Sequence, residues 1–220
     1  MLQKLIEFIA PAECIVCGVQ GSAMCQSCAH TELVGKVPSC VFCNRLTKDG
    51  RTCQACYRRT SLRGAHILWR YDGFAKDLIT QFKYANDRSI ADMFARQAVE
   101  AFDISDWDVI TAVASDGASK RMRGYNQAEL IAKAIARRAG ATYSPVLLRT
   151  RHQRQVNLSR AQRLKAVEDN FVCIKPAVVA GKRVFIVDDV ITTGATMNEC
   201  AKVLRAAGAQ RVWGLAIAKK

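Results

Sequence analysis

Eight of the ten cysteines lie between Cys14 and Cys56, in four CxxC pairs: Cys14/Cys17, Cys25/Cys28, Cys40/Cys43 and Cys53/Cys56. Each pair sets two thiolates on one tight turn, and two such knuckles complete a tetrahedral four-thiolate zinc site. Residues 1–59 therefore read as a small double zinc-ribbon module in which two structural Zn²⁺ ions replace a core. Sequence-adjacent pairing joins Cys14, Cys17, Cys25 and Cys28 in one site and Cys40, Cys43, Cys53 and Cys56 in the other. Interleaved pairing meets the same spacing. A redox CxxC is normally single, so four regular pairs favour metal, with an iron–sulfur cluster as the chemical competitor. With all four positions filled, such a site is scaffold and not Lewis acid.

The other 161 residues, 60–220, alternate strand and helix patterns. Ile67, Trp69 and Tyr71 alternate as a strand before the Asp72-Gly73 turn, and helical spacing follows over Phe74–Phe82 and Ile90–Phe102. Val109–Val113 is a short apolar strand. Asn126–Ala139 is an amphipathic helix stopped by Gly140. Pro145–Leu148 and Phe171–Ile174 read as strands, and Val184–Val187, Ala195–Ala207 and Val212–Ala218 as a strand–helix–strand unit. This order predicts an α/β domain, with a mainly parallel sheet flanked by helices on both faces. No apolar run approaches the roughly 18 residues of a membrane span. The start, Met1–Pro11, is broken by Lys4 and Glu7 and lacks the parts of a signal peptide, which predicts a cytoplasmic protein.

The string Val184–Glu199, VFIVDDVITTGATMNE, carries the sharpest chemistry. An apolar strand delivers two adjacent acids, Asp188 and Asp189, and Thr192, Thr193, Gly194, Ala195 and Thr196 then open a helix. Backbone N–H groups at a helix start, small residues and threonine hydroxyls suit a phosphate. Carboxylates one loop away suit the cis-diol of a ribose. Walker A and GxGxxG strings are absent, so nucleotide hydrolysis and dinucleotide binding lose support.

That string resembles the ribose-phosphate signature of type I phosphoribosyltransferases. Joined to the cysteine pairs, to Phe82-Lys83-Tyr84 and to Arg123-Gly124-Tyr125-Asn126-Gln127, it resembles the ComF family over essentially the whole chain. The resemblance implies a type I phosphoribosyltransferase fold binding phosphoribosyl pyrophosphate with Mg²⁺. It implies that Asp188 and Asp189, the candidate catalytic pair, meet the ribose hydroxyls, and that Thr192–Thr196 cradle the 5-phosphate. Arg123, Asn126 and Gln127 then open the helix beside the pyrophosphate loop. Many relatives carry proline where this chain reads Ala112-Val113-Ala114-Ser115-Asp116. The family also implies handling of incoming single-stranded DNA beside the DNA-uptake machinery. Transfer of the phosphoribosyl group to an acceptor, or sensing of phosphoribosyl pyrophosphate without turnover, are the alternatives.

Charge adds a direction. The chain carries 33 Lys+Arg against 19 Asp+Glu, a net charge of +14. Residues 121–175 hold 12 basic and 3 acidic side chains. Within them Arg149, Arg151, Arg154, Arg160 and Arg163 form a stretch with three readings: a solvated surface, a loop closing on pyrophosphate, or a groove for a nucleic-acid backbone. Glu13, His30 and His66 read as surface or packing residues, and Cys173 and Cys200 as core.

Overall fold

A computed structural model describes residues 13–21, 24–25, 27–28, 38–84, 88–115, 121, 124–150 and 170–220. Arg123, Asp116, His30 and Arg151–Arg163 lie outside the described residues, as does the start of the chain.

Seven strands and six α-helices are described: α1 Gln54–Tyr57, β1 Ala65–Arg70, α2 Gly73–Tyr84, α3 Arg88–Ala101, β2 Val109–Ala112, α4 Gln127–Ala139, β3 Thr142–Tyr143, β4 Leu147–Arg149, β5 Phe171–Cys173, α5 Pro176–Val179, β6 Arg183–Ile191, α6 Ala195–Ala206 and β7 Arg211–Lys219. Five strands form one sheet in the order β1-β7-β6-β2-β3, and every pairing within it is parallel. Strands β4 and β5 form a separate antiparallel pair.

Alternation along the strands builds two apolar layers. Ile110, Phe185, Val187, Trp213, Leu215 and Ile217 face one side, where α2, α3 and α4 pack through Phe82, Phe94 and Ile131. Val109, Val184, Ile186, Val212 and Ala216 face the other, against Met197, Cys200 and Leu204 of α6 and Phe171 of β5. The parallel α/β reading is thus met. Cys200 is core as expected, whereas Cys173 is only half-buried.

Two sequence expectations shift. Strand β6 runs beyond Val187 to Ile191, because β7 is equally long and stays paired with it through Asp188↔Ala216 and Ile191↔Lys219. The two acids therefore sit within the strand and not after it. Strand β4 starts at Leu147, past Pro145, which has no N–H to donate to a ladder.

Packing also fixes His66. Its ring stacks on Phe102 at 4.2 Å, and burial pushes its pKa down to about 4, against the pull of Asp49. The folded protein then refuses a proton that the unfolded chain accepts below its ordinary value near 6.5. Stability from this group is full above pH 6.5 and falls as the pH drops towards 4, by up to ~3 kcal/mol. Chemical denaturation between pH 7 and pH 4.5 should show His66→Gln losing part of the wild-type pH slope. Parallel slopes would show that the imidazole is not held neutral.

Candidate functional site

In this sheet the chain leaves β2 towards β3 on one side, through α4, and leaves β6 towards β7 on the other, through α6. Strand order reverses between β2 and β6, and the space beyond their carboxyl ends is where open parallel sheets bind ligands. Strand β2 stops opposite Val187, so Asp188 and Asp189 lie on a part of β6 that β2 does not cover.

Each carboxylate is oriented by its own backbone. Asp188 Oδ1 accepts from the Asp189 N–H at 2.9 Å, and Asp189 Oδ1 accepts from the Val190 N–H at 2.8 Å. Lys83 Nζ, at the end of α2, lies 3.0 Å from Asp189 Oδ2. Burial, and then the neighbouring Asp189 charge, push Asp188 well above the usual carboxylate range, with Lys83 opposing. Without a ligand, the pair therefore resists carrying two full charges.

Past Ile191 the chain turns through Thr192, Thr193 and Gly194 into α6. Thr192, Thr193, Ala195 and Thr196 are exposed and Gly194 is buried. Gly194 caps α6 at φ 79° with no side-chain hydrogen bond. Thr193 Oγ1 accepts only a long bond from the Ala195 N–H, 3.4 Å. This end of α6 leaves donors facing out, as a phosphate requires.

The Tyr125-Asn126-Gln127 segment builds the opposite wall. Tyr125 Oη donates to the Phe82 carbonyl at 2.6 Å, fixing the chain next to Lys83. Asn126 Nδ2 donates to the Val113 carbonyl at 3.0 Å, and Asn126 Oδ1 caps α4 by accepting from the Ala128 N–H at 3.1 Å. Both polar ends of Asn126 are thus used within the protein, and Gln127 is buried. Lys83 was legible only as part of a motif; its meeting with Asp189, 106 positions away, has no local sequence signal.

The cysteines gather as two clusters, Cys14/Cys17/Cys25/Cys28 and Cys40/Cys43/Cys53/Cys56, with the sulfurs of each within 4.8 Å of one another. Adjacent pairing holds, and interleaving does not. A zinc tetrahedron with arms of ~2.3 Å has edges of ~3.8 Å. Cys17 Sγ–Cys25 Sγ is 3.7 Å and Cys43 Sγ–Cys53 Sγ is 3.5 Å, so both clusters fit that ion. The thiols are electrostatically uneven. Burial raises Cys14, but the backbone N–H groups of Cys25, Cys17 and Val16 outweigh it and bring it to about 6. The Cys56 N–H chiefly brings Cys53 to about 7. Cys56 is pushed up to about 12, first by burial and then by Cys43. Four sulfurs this close cannot all ionise alone, and a dication removes that conflict.

The second cluster reaches the 192–194 turn at the head of α6. A Cβ on Gly194 would lie 3.0 Å from Phe42 Cε1, and Lys219 Nζ donates to the Val41 carbonyl at 2.8 Å and to Asn44 Oδ1. Asn198 Oδ1 in α6 accepts from the N–H groups of Ser61 and Leu62 at 2.8 and 3.2 Å.

Fold and site together define a phosphoribosyltransferase-type domain joined to a module of two four-cysteine clusters. The phosphoribosyl transferase domain family matches residues 125–219. Competence protein F of Haemophilus influenzae is 29% identical over 218 residues, 89% of this chain and 90% of that protein. Competence protein ComFC of Streptococcus pneumoniae is 28% identical over 200 residues, 87% of this chain and 85% of that one. The chain is thus ComF-like over nearly its whole length, as its motifs indicated. Among solved structures, the allosteric regulatory enzyme of purine biosynthesis is similar at 26% identity and TM-score 0.43, over 59% of this chain. The chain spans a quarter of that enzyme, 25%.

Metal analysis should find two zinc ions per chain. Cys43→Ser/Cys53→Ser should hold one, and amide exchange at residues 192–196 should speed up by about tenfold or more. Cys17→Ser/Cys25→Ser should leave that loop unchanged, because among the described residues it is the second cluster that reaches it, through Phe42.

Proposed function

We propose that the crevice beyond β2 and β6 binds phosphoribosyl pyrophosphate and that the protein is a cytoplasmic, competence-associated binder of single-stranded DNA. The observation that carries the first part is the sequence of groups along one wall. Exposed Thr192, Thr193, Ala195 and Thr196 at the head of α6 form the seat for the 5-phosphate. Asp188 and Asp189, a few residues earlier on β6, receive the ribose hydroxyls. Asn126 ties the start of α4 to Val113, so its part is to hold the facing wall, where Gln127 begins the helix.

Magnesium suits this crevice. It is a hard cation that prefers carboxylate and phosphate oxygens, and Asp188 and Asp189 supply only oxygen. It would accompany the diphosphate and relieve the repulsion between the two acids. Lys83 holds Asp189, and it is the cation in place to exchange partners when a ligand arrives.

The nucleic-acid part of the reading is supported by the likeness to two competence proteins and by the net charge of +14. That likeness supports a role in handling DNA during uptake.

Titration calorimetry with phosphoribosyl pyrophosphate and Mg²⁺ tests the site. Asp188→Asn/Asp189→Asn should weaken binding at least tenfold, about 1.4 kcal/mol, and omission of Mg²⁺ should weaken wild type similarly. Equal binding by both proteins would remove the site. Pyrophosphate release across a panel of acceptors would identify turnover in addition to binding.

A further inference from the structure

The charge excess along the chain points to residues 121–175, yet folding neutralises much of what is described there. Arg137 and Arg138 both pair with Asp92, the latter at 2.7 Å, and Lys133 pairs with Glu129 at 2.7 Å. Positive charge collects elsewhere. At the amino-terminal end of the sheet, a cleft of about 570 Å³ is lined by Arg51, Arg63, Arg183, Arg205 and Arg211 beside Tyr57. These residues come from the second cysteine cluster, the approach to β1, the end of α6 and the starts of β6 and β7.

Arg183 is compensated by Asp108, with both nitrogen–oxygen contacts at 3.3 Å. The other four have no carboxylate within ion-pair reach among the described residues. Three of them are nevertheless held in place. Arg63 donates to the carbonyls of Tyr57 and Thr60 at 3.1 Å each and lies 3.9 Å from the Tyr57 ring centroid. Arg205 donates to the carbonyls of Ala209 and Gln210. Arg211 lies 4.9 Å from the Trp213 ring centroid. Carbonyls and rings fix a guanidinium without cancelling its charge. Such a set keeps its field and has already lost much of the side-chain freedom that binding would cost.

We infer that this cleft is a second anion site, which holds the phosphodiester backbone of single-stranded DNA. Guanidinium forks match phosphate oxygens, and Tyr57, 51% exposed, offers an aromatic face of the kind on which unpaired bases stack. Duplex DNA is a poorer occupant, because its paired bases offer no free face to the ring. The cleft and the phosphoribosyl pyrophosphate site lie at opposite ends of β6. The five steps from Arg183 to Asp188 alone span about 17 Å, so the two ligands bind without competing. The inference rests on the single-stranded DNA reading proposed above and gives it an address.

Fluorescence anisotropy of the zinc-loaded full chain with a labelled 20-nucleotide oligothymidine, from 50 to 250 mM salt, tests it. Arg51→Gln/Arg211→Gln changes two exposed side chains. It should weaken binding about tenfold at 100 mM salt and reduce the salt slope by about 1.4, roughly 0.7 per phosphate contact on a single strand. Arg51→Lys/Arg211→Lys should keep the slope. Arg137→Gln/Arg138→Gln should match wild type, and phosphoribosyl pyrophosphate affinity should be the same in all four proteins. An unchanged slope in Arg51→Gln/Arg211→Gln, with wild type binding, overturns the address alone. No binding by wild type at 50 mM salt overturns both the address and the DNA reading.

Discussion

The divergence of the chain at β2 and β6 is the constraint on which the rest depends. Parallel strands joined by right-handed crossovers must send their helices to opposite faces when the strand order reverses. Helix α4 therefore packs with α2 and α3 on one layer and α6 on the other. The helix starts of α4 and α6 are drawn to either side of one gap. Strand β2 ends at Ala112, so among the described residues no strand pairs with β6 on that side of Asp188. The long β6–β7 pairing holds the two acids rigidly at the rim.

That rigidity carries an electrostatic cost. Two adjacent half-buried carboxylates repel, and a protein without a reason to keep them would place an amide or an apolar residue there. The chain balances one acid with Lys83 and feeds both from backbone N–H groups. Among the described residues, the exposed threonines beyond them have only the long Ala195 N–H to Thr193 Oγ1 bond. Acids that repel at one part of this wall and outward-facing donors at the next are the features on which the proposed ribose-phosphate reading rests. The cysteine clusters enter the same logic. The first contributes Met24 to one apolar layer, and the second contributes Val41 to the other. The two cysteine clusters thus gather short segments that lack a core of their own into wedges against both faces.

Much of this was legible along the chain. The helices α2, α3, α4 and α6 follow from apolar periodicity and from Gly140 and Gly208, and the eight thiols follow from their spacing. The DDVITTGAT string located one wall of the crevice. The extension of β6 past Val187 was not legible, because it depends on the partner strand; Asp188 and Asp189 look like loop residues until β7 is beside them. The two-residue β3 and the single turn of α5 are too short to show a period. Lys83 and Tyr125 have no local signature for their roles, since one bond joins α2 to β6 and the other joins the start of α4 to α2.

Charge is the case where linear reading and folded geometry diverge most. A count along the chain weighs every arginine alike, whereas the field outside a protein depends on what each guanidinium faces. Arg137 and Arg138 are neighbours in sequence and share Asp92, so their positive charge is partly cancelled where they stand. Arg51, Arg63, Arg205 and Arg211 are spread over 161 positions, and no window of ordinary width would join them. The parallel sheet joins them, because its strands all begin at one end: the residues entering β1, β6 and β7 must converge there, as those leaving β2 and β6 converge at the other. Two ends of one sheet thus acquire different characters, with Asp188 and Asp189 at the carboxyl edge and, at the amino edge, four guanidiniums that have no carboxylate partner among the described residues. That polarity sets the proposed ribose-phosphate site and the proposed polyanion cleft at opposite ends of one sheet.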